Sequence, residues 1–136
     1  MKPAGYSGTP LPSKLGLKSG MKFIALNAPR DLDMLLAGAP NLECLARVAP
    51  FECALAFVTT ERVLAAHFEK LAPKLVDAGM IWIAWPKKAS GVATELTEDI
   101  VRRAGLTAGL VDVKVCAIDL TWSGLKFVRR LRDRRV

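Results

Sequence analysis

The sequence predicts a three-layer α/β domain, with a mostly parallel sheet that ends in an antiparallel hairpin and helices on both faces. Three observations carry this. "FECALAF" and "MIWIAW" are nearly continuous in apolar residues, as strands covered on both faces are. Strand-like and helix-like segments alternate, which implies right-handed crossovers between parallel strands. The last two strand-like runs are joined only by "LTWS", a link that suits an antiparallel pair. The layout is Rossmann-like and matches that of the class I methyltransferase fold. A likeness of layout leaves activity open.

Residues 1–20 are rich in Gly, Pro, Ser and Lys and read as an irregular arm packed on the domain, with one short helical turn in "PLPSKLGL". "MKFIALNAP" holds the first strand, Lys22 to Leu26, with Asn27 at its end. "RDLDMLLAGAP" is a short helix stopped by Gly38 and Pro40. "LECLARV" is the second strand and "FECALAFVTT" the third. "TERVLAAHFEKLAPKLVDAG" is the clearest helix. Thr60 caps it, Glu61 complements its dipole, and Leu64, Phe68, Leu71 and Leu75 form one apolar stripe. Pro73 should kink or divide its last part, and Gly79 suits the position after its end. "MIWIAW" is the fourth strand. The helix "TEDIVRRAGLTAG" follows, capped by Thr97 with Glu98 and Asp99 in its first turn. "VDVKVCAID" and "GLKFVRRL" complete the sheet. The reading divides the chain into the arm 1–20, a single Rossmann-like domain 21–131 and a basic tail 132–136.

A chain of 136 residues, 51% of them hydrophobic, suits one domain with a sizeable core. Even an apolar run as long as Met80 to Trp85 is far too short to span a bilayer, and the first residues lack the apolar stretch of a secretory signal. The expectation is a soluble cytoplasmic protein without membrane partners. The three cysteines, Cys44, Cys53 and Cys116, match no zinc spacing, and His67 is the only histidine, so no metal site is expected. The cysteines read as small apolar groups. His67 flanks the apolar stripe of its helix and reads as a partly buried helix residue rather than a base.

The net charge of +7 is uneven. Arg129, Arg130, Arg132, Arg134 and Arg135 against the single Asp133 place four of the seven charges at the end of the chain. Such a run can attract phosphate polymers or fray as a solvated terminus.

A Rossmann-like layout raises dinucleotide or S-adenosylmethionine binding. Such sites need glycines after the first strand and an acid after the second. Here the first loop is "LNAPRD", without glycine and with Pro29 removing a donor, and the second strand ends "RVAP". The sequence therefore argues against NAD and S-adenosylmethionine as cofactors. "SGLK", Ser123 to Lys126, has the Ser-x-x-Lys spacing of some acyl-transfer enzymes. On a strand, residues three apart point to opposite faces, so the pair is set aside. No catalytic set emerges, and the reading leans away from an enzyme.

Ligands of open parallel sheets bind beyond the carboxyl ends of the strands. Three such ends should converge: Asn27 with Arg30, then Thr59, then the loop from Trp85 through "PKKASG". Lys87, Lys88 and Arg30 supply positive charge, Ser90 supplies a donor, and Gly91 lets the loop turn. Trp85 or Trp122 offers an aromatic wall. This set suits a phosphate- or carboxylate-bearing ligand. The alternatives are a nucleic-acid-associated protein using the arginine-rich end, a degenerate methyltransferase-like enzyme, and an interaction module whose exposed tryptophans mark a partner face.

"AGYSGTPL", "LNAP", "WPKKASG" with "LTEDIVR", and "GLVDVKVCAIDLTWSGLKFV" together resemble the bacterial family catalogued as domain of unknown function 3052. The resemblance runs from Ala4 to Val128, and the long C-terminal stretch is its most specific part. It implies a small cytosolic bacterial protein and carries over no catalytic residues. The arginine-rich end lies outside it.

Overall fold

The computed structural model describes residues 9–134. Six strands form one sheet in the order β2-β1-β3-β4-β6-β5. They are β1 (Lys22–Leu26), β2 (Glu43–Cys44), β3 (Phe51–Phe57), β4 (Leu75–Pro86), β5 (Leu110–Ala117) and β6 (Trp122–Arg129). β1 pairs in parallel with β2 and β3, and β3 with β4. β6 lies antiparallel between β4 and β5. The sheet is thus mostly parallel and ends in an antiparallel hairpin, as the sequence implies.

Four helices cover it: α1 (Leu11–Leu15), α2 (Leu32–Leu35), α3 (Glu61–Leu71) and α4 (Glu98–Thr107). Side chains alternate along the central strands. Ala54, Ala56, Ile81, Ile83 and Trp85 face α3 and α4, where they meet Leu64, Phe68 and Val101. Cys53, Leu55, Phe57, Trp82 and Ala84 face α1 and α2, where they meet Leu15 and Leu17. The period of two divides one apolar run between two cores.

α3 and α4 start where the sequence places them. The Thr60 and Thr97 hydroxyls accept hydrogen bonds from the amides of Val63 and Ile100. α4 approaches the sheet closely because residue 105 is glycine. A Cβ there would lie 2.0 Å from the Phe127 ring. Phe127 in turn meets Phe68 edge to face, with ring centroids 5.1 Å apart.

Several expectations are corrected. α3 ends at Leu71 and not at Gly79; residues 72–74 form one 3-10 turn, and β4 begins at Leu75. Pro73 supplies no amide and clashes with the preceding turn, so the helix cannot continue through it. Arg129 braces the stop by donating to the carbonyls of Ala72 and Leu75, at 2.8 and 3.0 Å, on either side of the 3-10 turn. Gly79 therefore sits within the irregular early part of β4, where the pairing with β3 slips between Phe51 and Cys53. β2 is two residues, not seven, because this edge pairs only with Lys22 and Phe23. α2 is a single turn. The hairpin turn lies earlier than "LTWS". Trp122 and Ser123 belong to β6, and the Asp119 carboxylate accepts from the amides of Thr121 and Trp122, each at 2.8 Å.

Candidate functional site

The strand order reverses beside β1, which has β2 on one side and β3 on the other. The crevice beyond the carboxyl ends of β1 and β3 is where such sheets place ligands. A cavity of about 130 Å³ lies there, lined by Asn27, Phe57, Val58, Thr59, Val63 and Trp122. Asn27 follows β1 directly and holds a left-handed φ of 53°. Asparagine is among the few residues besides glycine that adopt it readily. Trp122 stands edge-on to Phe57, with centroids 5.1 Å apart, and forms the apolar wall.

Three of the expected site residues, Asn27, Thr59 and Trp122, thus meet at one cavity. The others are placed differently. Trp85 is buried against the α3/α4 core, whereas Trp122 packs with the opposite one. The two tryptophans cannot wall one site, because Trp85 pairs with Ser123 and so faces away from Trp122. The Ser90 hydroxyl is consumed within its own loop: it donates to the Lys87 carbonyl at 2.7 Å and accepts from the Val92 amide at 3.1 Å. Gly91, at φ 79°, ends that turn. Lys87 is half-buried and its amide donates to the Thr121 carbonyl, next to Trp122. Lys88 and Arg30 are exposed. Among the described residues none of these three cations has an ion-pair partner.

The loop after β4 folds back over the end of β3. The Thr94 hydroxyl donates to the Thr59 carbonyl at 2.6 Å, and the Glu95 carboxylate accepts from the Glu61 amide at 3.0 Å. Glu95 thereby occupies part of the α3 N-terminus, the position an anionic ligand would otherwise share. Sequence reading missed Glu95, because nothing local links it to a helix start 34 residues earlier. It also missed Val63 as a lining residue, since only the strand order brings the start of α3 beside Asn27.

His67 supports the site from behind. It is buried, and its Nε2 lies 3.1 Å from the Phe57 carbonyl. A carbonyl only accepts, so Nε2 carries the proton. Burial first, and Lys70 less strongly, push its pKa below the usual histidine value, against the hydrogen bond to Phe57. Cys53 is fully buried and pushed up to about 12 by desolvation, as an inert core thiol should be.

A larger groove, about 470 Å³, runs between α3 and α4 and is lined mainly by Ala65, Phe68, Ala72, Ala104 and Ala108. It lies towards the C-terminal ends of those helices, away from the carboxyl ends of the strands, with Glu69 and Thr107 as its polar lining residues. Among the described residues no group of three metal-ligating side chains forms, and no helix is long and apolar enough to cross a membrane. Ser123 and Lys126 both lie in β6, three apart. Of the terminal arginines, Arg129 is committed to the end of α3, and Arg134 donates to the Arg129 carbonyl. Arg132 lies 4.0 Å from the Asp133 carboxylate within the same turn, and Arg135 lies outside the described residues.

The fold is that of the S-adenosylmethionine-dependent methyltransferases. Aeropyrum pernix fibrillarin, solved with natively bound S-adenosyl-L-methionine, matches with a TM-score of 0.55 at 17% identity, over 91% of this chain and 70% of that one. Magnesium protoporphyrin IX methyltransferase from Synechocystis PCC 6803 matches with a TM-score of 0.57 at 11% identity, over 88% and 74%. LepI, in complex with SAH and a substrate analogue, matches with a TM-score of 0.59 at 11% identity. It covers 90% of this chain, which spans about half (47%) of LepI. Likeness at such identities shows the fold alone. No family model matches the chain, and no curated protein matches it.

Proposed function

We propose that this chain uses a methyltransferase-type scaffold to bind a small carboxylate- or phosphate-bearing ligand at the switch point. The observation that carries the reading is the cavity of about 130 Å³ beyond β1 and β3, lined by Asn27, Thr59 and Trp122. Asn27 offers a side-chain amide donor, and Trp122 a flat apolar wall. Arg30, Lys87 and Lys88 add positive charge around the strand ends. Ser90 and Gly91 shape the loop rather than touch the ligand, and Trp85 supports β4 from the other core.

The strand-end loops separate this reading from methyl transfer. The first loop lacks glycine, and Glu95 already sits at the α3 N-terminus. A degenerate methyltransferase-like protein remains the second reading, favoured by the fold.

Tryptophan fluorescence tests the first reading, because Trp122 lines the cavity while Trp82 and Trp85 are buried. Titration with acetate, pyruvate and inorganic phosphate should give a saturable change with at least one of them. That change should disappear in Trp122→Phe and weaken in Lys87→Ala with Lys88→Ala. A response unaltered by both variants, or none with any small anion, overturns it.

A further inference from the structure

We propose a second binding site, between α1 and the edge strand β5, that holds the phosphate group of a phosphate monoester between Lys14 and Lys114. It shares no residue with the switch-point cavity and does not rest on it. A cavity of about 360 Å³ lies there, lined by Thr9, Ser13, Lys14, Lys114, Val115, Cys116 and Ala117. That volume exceeds a bare phosphate and leaves room for a small organic group.

Both ammonium groups are fixed beside the cavity. The Lys14 ammonium donates to the Ala117 carbonyl at 3.0 Å, and the Lys114 ammonium to the Lys14 carbonyl at 3.4 Å. Each has three donors and spends one. Both charges act on the Cys116 thiol, although burial outweighs them and raises its pKa.

Lys114 reaches this face only through a bulge. Asp112 pairs with Phe127 and Lys114 with Lys126, so the register slips by one residue between them. An unbroken ladder would set Lys114 opposite Leu125, whose side chain belongs to the α3/α4 core. The bulge turns it instead to the α1 face, as bulges near functional sites do. There it stands directly across from Lys126, a like-charge pair that destabilises a sheet. Among the described residues no carboxylate pairs with Lys14, Lys114 or Lys126.

Three lysines gathered on one face without a counter-charge cost stability unless an anion joins them. A dianion relieves the repulsion better than a monoanion, and a phosphate monoester carries about −1.5 to −2 at neutral pH. The hydroxyls of Ser13 and Thr9 supply further donors.

Cys116 provides the readout. In Cys44→Ser protein it is the accessible thiol, since Cys53 is fully buried. The rate of its alkylation by iodoacetamide is measured against inorganic phosphate, phenyl phosphate and acetate at constant ionic strength. At phosphate about ten times its dissociation constant the rate should fall about tenfold, because only the unliganded fraction reacts. Phenyl phosphate should protect at lower concentration, and acetate should not protect. Lys14→Gln with Lys114→Gln, which keeps donors and removes charge, should abolish protection. Lys87→Ala with Lys88→Ala should leave it intact. If the double glutamine variant loses the α1 helix by circular dichroism, Lys114→Glu on the exposed edge gives the same test alone. Protection that survives loss of the lysine charge, or a rate indifferent to phosphate, overturns the proposal.

Discussion

The two faces of the sheet are covered in different ways. On one, α3 and α4 run ten or eleven residues, carry threonine caps and press closely on the strands through Gly105. On the other, α1 and α2 have five and four residues and no side-chain cap. Helices that short have no stability of their own. α1 stays because Leu15 and Leu17 are buried and because the buried Trp82 indole donates to the Leu15 carbonyl at 3.0 Å, whereas α2 rests on the core only through the partly buried Leu32 and Leu35. Both candidate cavities touch this thinner side, through Trp122 in one case and α1 in the other. One face is built for cohesion, and the other leaves space.

The sharpest way to break the contrast is Gly105→Ala. Its methyl group would overlap the Phe127 ring, and neither α4 nor the Phe68–Phe127 pair can yield far. Overpacking of this kind costs about 3 kcal/mol, read as a fall in the urea midpoint with the slope unchanged. Trp82→Phe should cost less, about 1–3 kcal/mol, because it leaves the Leu15 carbonyl without its donor. Hydrogen exchange should show faster opening confined to α1 and its neighbours, with α3 and α4 unaffected. Equal loosening of both faces would erase the distinction drawn here.

The smallest effect concerns pH. His67 has a folded pKa below the unfolded value of 6.5, so the unfolded chain binds the proton more readily. Its share of stability is complete above pH 6.5 and declines as the pH falls towards the folded value. His67→Gln, which preserves a donor for Phe57, should flatten the dependence of Tm on pH just below 6.5. An unchanged slope would show that other groups govern it.

Much of the cohesive face was legible in the sequence, because its signals are local. Thr60 and Thr97 precede acids and amphipathic stripes, and both cap as read. The apolar runs of β3 and β4 announce strands covered twice. The end of α3 was legible only in part: Pro73 marks a break in its last part, but not that a strand follows at once. Leu71 and Leu75 are four apart, a spacing that suits a helix, yet the chain turns at Pro73 and Leu75 opens a strand. What secures that turn is Arg129, more than fifty residues away.

The site was legible only in part for the same reason. Asn27 and Thr59 could be placed at strand ends from their own neighbourhoods. Whether Trp85 and Trp122 share a face depends on the β4–β6 register, which no local pattern records. Ser90 is different: a serine two residues before an amide in a glycine turn often bonds its own loop, and here it does. Glu95 at the α3 N-terminus and the bulge that turns Lys114 to the α1 face are both consequences of tertiary pairing.

The central claim is that a methyltransferase-type scaffold here takes a small anion at its switch point. Thermal unfolding in a low-salt buffer tests it most directly, with small carboxylates and inorganic phosphate in one series and S-adenosylmethionine in the other. A ligand at about 100 times its dissociation constant adds roughly 2.7 kcal/mol, several degrees for a domain of this size. The account predicts a shift of that order with at least one of these small anions, reduced in Lys87→Ala with Lys88→Ala, and none with S-adenosylmethionine. A shift with S-adenosylmethionine and none with any small anion that those lysines govern would contradict it.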